Sequence, residues 1–224
     1  MKRKEKLLFV LLLAGMLIVF AACSNGTNGT GGTFIPEYEV GDTGPGGGII
    51  FYVDPEGFTV QGYTGGPGAF AAYKAHYLEA APDDEAGSST WGDYGTLITG
   101  VTTFTSSSAA DAAKIGNGRK DTRTIVNHLA GTVETGKAAQ LCAGKDLNGY
   151  TDWFLPSLGE LDELYKLYDA EGKAAYGNLT QTHYYWSSSQ YNLDRAWNQY
   201  FANGNQYCDN TKAGTFGVRA IRAF

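Results

Sequence analysis

Gly149-Tyr150-Thr151-Asp152-Trp153-Phe154-Leu155-Pro156-Ser157-Leu158-Gly159-Glu160-Leu161 sets the frame for the whole chain. Trp153, Phe154 and Leu155 are consecutive apolar residues between turn-forming neighbours, which predicts a short buried strand. Pro156 cannot continue a hydrogen-bonded ladder and ends it. Ser157 followed three residues later by Glu160 is a capping box, so a helix starts here. Leu158, Leu161, Leu164, Tyr165 and Tyr168 recur at helical spacing. They predict a helix from Leu158 to Asp169 with one apolar stripe, stopped near Gly172. Just upstream, Lys137 to Ala143 predicts a short helix leading into the strand.

Downstream, Tyr184 to Ser188, Arg195 to Phe201 and Phe216 to Phe224 predict three strands, with Asn203-Gly204 as a hairpin turn. Towards the N-terminus, Ile49 to Val53 predicts a first strand. Asp54-Pro55-Glu56-Gly57 then turns into a second, Phe58 to Gln61. Gly62 to Ala71 is a glycine-rich loop, Tyr77 to Ala81 a further strand and Asp121 to Ala130 a helix. The run Gly44-Pro45-Gly46-Gly47-Gly48 invites comparison with a phosphate loop. That chemistry needs a helix N-terminus after the glycines, and here a strand follows, so the run predicts a tight turn. Asp83-Asp84-Glu85 predicts a solvated acidic loop, and Ser106 to Ala110 a polar one. Thirty-one glycines, 13% aromatic residues and no internal repeat point to a single α+β domain with short antiparallel strands, two or three helices and long loops.

Several of these blocks, in order, resemble a known bacterial family. They are Gly41-Asp42-Thr43-Gly44-Pro45 to Tyr52, Tyr77-Leu78-Glu79-Ala80-Ala81-Pro82, Gly149 to Leu161, Tyr185-Trp186-Ser187-Ser188-Ser189, Ala196-Trp197 and Val218-Arg219-Ala220-Ile221-Arg222. They are similar to the Lcl C-terminal domain family, whose domain also closes a collagen-like adhesin of Legionella, and they cover residues 41–224. The helix, the Leu-Pro-Ser-x-x-Glu-Leu element and the terminal Val-Arg strand also resemble the formylglycine-generating-enzyme branch of C-type-lectin-like folds. The resemblance implies a C-type-lectin-like fold and a binding or adhesion role. The resembled adhesin's domain binds sulfated glycosaminoglycans.

Residues 1–22 read as a targeting segment. Lys2, Arg3, Lys4 and Lys6 precede the fourteen-residue apolar run Leu7 to Phe20, and Ala21-Ala22-Cys23 follows. A bilayer-spanning helix needs about twenty apolar residues, so this run fits a signal peptide. Ala-Ala-Cys resembles a bacterial lipobox, which implies that Cys23 is acylated and that the chain is lipid-anchored in the cell envelope, at the outer membrane or cell surface. Residues 23–40, rich in Gly, Asn and Thr, read as a flexible tether. Removing residues 1–22 takes away four basic and one acidic residue. That leaves 13 basic against 22 acidic, a balance of −9. Such a surface repels polyanions at long range and opposes nucleic-acid binding. It also opposes the adhesin's sulfated ligand, so the resemblance carries over binding as a class and not that ligand.

The recognition candidates are Tyr191, Asn192, Asn205, Gln206, Tyr207 and Asn210, which lie between predicted strands. Tyrosine and amide side chains on loops combine rigid aromatic area with adaptable hydrogen bonding, suited to an extracellular glycan or protein ligand. Arg119, Lys120 and Arg123 form either an anion patch or a solvated basic patch. Cys142 and Cys208 are either bridged, as an even pair in an exported chain, or free. His76, His128 and His183 are scattered, and no metal or cofactor is predicted. Asp146, Asn148 and Asp152 lack the glycine step and closing glutamate of a calcium loop. Trp197-Asn198 lacks the companion element of lectin calcium sites. No catalytic motif is present. The chain therefore reads as an envelope lipoprotein displaying a non-catalytic binding domain, with an envelope enzyme or accessory subunit as the alternative.

Overall fold

The computed structural model describes residues 37–85, 88–108, 113–170, 179 and 183–224. The signal peptide, Cys23, most of the tether and Gly172 lie outside the described residues. Tyr38, placed in the tether by a boundary at residue 41, packs edge-on against Tyr77 and Phe224 at 5.5 and 5.9 Å. The packed region therefore starts earlier than the sequence boundary.

The described elements are β1 (Ile49–Val60), β2 (Tyr73–Ala80), β3 (Ser89–Thr90), α1 (Gly118–Thr132), α2 (Ala138–Ala143), α3 (Leu158–Ala170), β4 (Tyr184–Gln190), β5 (Ala196–Tyr200), β6 (Gln206–Tyr207), β7 (Thr215–Phe216) and β8 (Ile221–Ala223). They make an α+β fold with three small antiparallel sheets, ordered β1-β2-β8, β3-β7 and β4-β5-β6.

The predicted capping box forms. The Ser157 N–H donates to Glu160 Oε2 at 2.7 Å, and the Glu160 N–H donates to Ser157 Oγ at 3.3 Å. The helix after it buries Leu158, Leu161, Leu164, Leu167 and Tyr168. The Trp153–Leu155 strand does not form as a sheet member. It is a buried extended segment joined to β8 by a single bridge, with Phe154 and Ile221 exchanging hydrogen bonds at 2.8 and 2.9 Å. Extended backbone turns successive side chains to opposite sides. Phe154 enters one core with Phe51, Leu78, Leu161, Tyr185 and Ile221, while Trp153 and Leu155 enter a second with Trp91, Ile125, Leu129 and Trp186. Three residues thus form the wall between two cores, too short and too enclosed to pair further.

Three other expectations change. Ile49 to Val60 is one strand, because Asp54 to Gly57 bulge within the β1–β2 pairing instead of turning the chain back. Asp54 Oδ1 accepts the N–H groups of Glu56 and Gly57, which closes the bulge locally. Phe216 to Phe224 is divided between β7 and β8 in different sheets. The acidic run is only partly solvated: Asp83 is exposed, but Asp84 accepts from Arg219 Nε at 2.7 Å and from Tyr185 Oη at 2.9 Å, and Glu85 pairs with Lys145 at 2.7 Å.

The glycine run does cradle an anion, but an internal one. The Gly46 and Gly48 N–H groups donate to the Glu79 carboxylate at 3.1 and 2.8 Å, and Arg222 reaches the same carboxylate at 3.1 Å while also binding Asp152. A Cβ at Gly48 would lie 2.0 Å from the Ala80 carbonyl oxygen, so only glycine lets the turn seat against β2. Asn203-Gly204 forms the predicted turn between β5 and β6, with Gly204 at φ +75° and its N–H donating to Tyr200 O.

Candidate functional site

Helix α1 is built in two halves around its circumference. Asp121, Thr122, Ile125 and Leu129 are buried against the core. Lys120, Thr124, Asn127 and His128, spaced i, i+4, i+7 and i+8, form a polar stripe on another flank. That stripe floors a cleft of about 760 Å³, whose walls are the Gly62–Gly65 and Thr96–Gly100 loops. The volume is in the range of small-molecule sites.

The helix holds both walls in place. Asn127 Nδ2 donates to Tyr63 Oη and to Pro67 O, each at 2.9 Å, which fixes the first loop. Lys120 Nζ donates to Gly100 O at 3.0 Å, and His128 Nε2 pairs with Asp93 Oδ2, which fix the second. From behind, buried Gln190 exchanges hydrogen bonds with Ile98 N–H and O at 3.0 and 2.9 Å. Buried Lys212 donates to Thr96 O at 2.6 Å and to Gln190 Oε1 at 2.9 Å, with its ammonium 4.6 Å from the Trp91 ring centroid. Burial pulls the Lys212 ammonium down to about 8, against the opposite pull of Asp93 and Asp194. The cleft is therefore a loop site on a rigid support.

Its electrostatics are close to balanced. Lys120 is 2.9 Å from buried Asp121, whose carboxyl burial pushes up and Lys120 pulls back. His128 faces Asp93. Leu97 on the wall is 53% exposed, an apolar fringe next to hydroxyl and amide groups.

Of the six recognition candidates, Asn205 and Tyr207 meet, with Asn205 Nδ2 donating to Tyr207 Oη at 3.4 Å, and the six do not share one surface. Adjacent residues of β6 face opposite sides of the sheet: Tyr207 meets the Tyr184 ring at 5.5 Å, whereas Gln206 lies beside Asp162 and Lys166 of α3. Tyr191 packs edge-on against Trp197 at 5.8 Å. Asn192 Oδ1 accepts the N–H groups of Asp194 and Arg195, and Asn210 Nδ2 donates to Asn198 at 3.1 Å. Asn205 is exposed in the hairpin turn at the other end of β5.

The basic residues separate as well. Arg119 stacks 4.4 Å from the Phe70 ring centroid and donates to Tyr73 Oη at 3.0 Å. Arg123, one turn on, is lowered by burial and then by Arg119. Lys120 points across the cleft to Gly100 instead. Cys142 and Cys208 are unbridged: Cys142 is buried in the second core, while Cys208 packs beside Phe104, Leu158 and Trp197. Among the described residues, no group of three His, Cys, Asp or Glu side chains is placed to hold a metal ion.

Sequence reading missed the cleft because its walls are far apart in the chain and neither carries a motif. The available signal is the polar stripe on α1, of which Lys120 counts among the basic candidates and His128 among the scattered histidines.

The model of the Lcl C-terminal domain family matches residues 111–222, half of the chain. This span contains α1 but neither wall of the cleft. No curated protein matches the chain by sequence. Among solved structures the chain is similar to a fimbrial protein from Bacteroides ovatus, at 14% identity and a TM-score of 0.52. The match covers 79% of this chain and 44% of that one, so the chain spans less than half of that protein's length. At this identity the likeness is one of fold.

Proposed function

The chain belongs to the Lcl C-terminal domain family, and from that premise we propose that it is a binding domain of adhesion type displayed on the bacterial cell envelope. The observation that carries this reading is the cleft on α1, a recess of ligand size with walls pinned from both sides. Family membership and the likeness of fold to a fimbrial protein support a surface setting. The leader-like residues 1–22 and Ala21-Ala22-Cys23 support a lipid anchor on Cys23 and a tether before the domain. The resemblance to the formylglycine-generating-enzyme branch of C-type-lectin-like folds is what keeps an envelope enzyme as the alternative. An enzyme could use the His128–Asp93 pair as a base, but the described cleft lining offers no serine or cysteine nucleophile beside it.

One observation favours a second location for the same function. Tyr184 and Tyr200 stack at 4.4 Å across β4 and β5, with Tyr207 and Phe216 against Tyr184 at 5.5 and 5.3 Å. All four are half-buried, so they form a partly open aromatic face that includes one of the sequence candidates.

The test is an array of extracellular-matrix proteins and glycans probed with the full chain solubilised in mild detergent. The expected result is retention of one ligand class, lost in Thr124→Arg, which fills the cleft, and kept in Tyr207→Ala. The reverse pattern moves the site to the aromatic face. Retention of nothing, or chemical turnover of a retained compound, removes the binding-domain reading.

A further inference from the structure

We propose that the α1 cleft takes a neutral, hydroxyl-rich saccharide, a proposal that rests on the reading of the chain as a binding domain. The charge pattern comes first. The one lysine on the cleft floor is matched by Asp121, and the one histidine by Asp93. A sulfated or phosphorylated ligand would find no surplus positive charge there, and it would approach a chain of net charge −6. Arg119 and Arg123, which could add charge, face Phe70, Tyr73 and Gly68 on a different flank of the helix.

The hydrogen-bonding inventory points the same way. Tyr63 Oη accepts from Asn127, which leaves its own proton to donate. Asn127 uses its amide nitrogen twice and leaves Oδ1 as an acceptor. His128 leaves Nδ1 without a partner among the described residues, as do the hydroxyls of Thr64, Thr96 and Thr99. Donors and acceptors are thus interleaved across the cleft. A sugar hydroxyl both donates and accepts, so it can satisfy either kind, whereas an anion can only accept.

The apolar fringe supplies the third feature. A pyranose has a face of C–H groups as well as a rim of hydroxyls. Exposed Leu97 offers apolar area beside the polar floor, a pairing of apolar and polar contact suited to a sugar ring. Both walls lie outside residues 111–222, so this specificity would belong to the chain's own N-terminal loops on a family scaffold.

The full chain in mild detergent is titrated calorimetrically against neutral hexose and N-acetylhexosamine oligosaccharides, with a heparin-derived oligosaccharide as the charged comparator. At least one neutral series should bind, with affinity changing less than about twofold between ~0.05 and ~0.5 M salt. Leu97→Asp and Thr124→Arg should each weaken it by about tenfold, Leu97→Met should restore it, and Arg119→Ala should leave it unchanged. Leu97 is exposed, so its variants should keep the wild-type melting curve and report on binding alone. Binding of the heparin fragment only, with steep salt dependence, overturns the neutral class and leaves the binding-domain reading standing. Retention of a matrix protein with no saccharide bound does the same. A neutral saccharide lost in Tyr207→Ala but kept in Thr124→Arg overturns the site. No ligand of any class removes both.

Discussion

Glu160 caps α3 and also joins two distant turns. Its Oε1 accepts the Gly116 and Gly118 N–H groups at 2.7 and 3.4 Å, in addition to the Ser157 N–H on Oε2. The side chain is fully buried, with no ion pair to it among the described residues. Burial raises its carboxyl to about 7, outweighing the hydrogen bonds that pull it down. A carboxyl raised on folding stabilises the fold fully below its unfolded value of 4.5, and that contribution is lost as pH climbs through about 7. The chain should therefore lose up to about 3 kcal/mol of stability between pH 5 and 8 through this group. Glu160→Gln should flatten that slope. It should also cost about 1–3 kcal/mol at low pH, because an amide nitrogen cannot accept from the backbone donors. Denaturant unfolding at several pH values checks both. A variant with the wild-type slope would assign the pH dependence elsewhere.

At the scale of elements, α3 carries the strongest prediction. Leu161 is completely buried between β1, β4 and the Trp153–Leu155 wall, in a core with Phe154, Leu164 and Tyr185. Leu161→Asp places an unpaired charge there and should cost several kcal/mol, a large part of a typical total of about 5–15. Lys166→Ala on the exposed side of the same helix removes pairs with Asp162 and Glu163 and should cost about 0–1 kcal/mol. Equal melting curves for Leu161→Asp and the wild type would show that this face is not core. The capping box and the apolar stripe made this helix legible. The Trp153–Leu155 segment was legible as buried and extended, but not as a divider: only the tertiary structure shows a separate core on each side.

At the scale of the molecule, the prediction concerns attachment. With acyl chains on Cys23, the chain should partition with membranes and be released by Cys23→Ser. Fractionation with intact-mass measurement tests this, and a Cys23→Ser chain that stays membrane-bound at its wild-type mass removes the anchor. Charge acts at the same scale. Buried or half-buried ion pairs absorb Glu79, Asp84, Asp152, Arg219 and Arg222. Asp84 and both arginines of the Val218–Arg222 block thus hold loops to the core.

The sequence alone was enough for features that depend on neighbours within a few residues. The capping box at Ser157, the Asn203-Gly204 turn, the glycine turn before β1 and the α+β class follow from backbone preference and local periodicity, which a short window contains. Whether Asp84 is solvated and whether Cys142 reaches Cys208 depend on residues tens of positions away. The cleft is the clearest case. Its floor is one helix, its walls are two loops without motifs, and the hydrogen bonds from Asn127, Lys120 and His128 that assemble them exist only once the chain has folded.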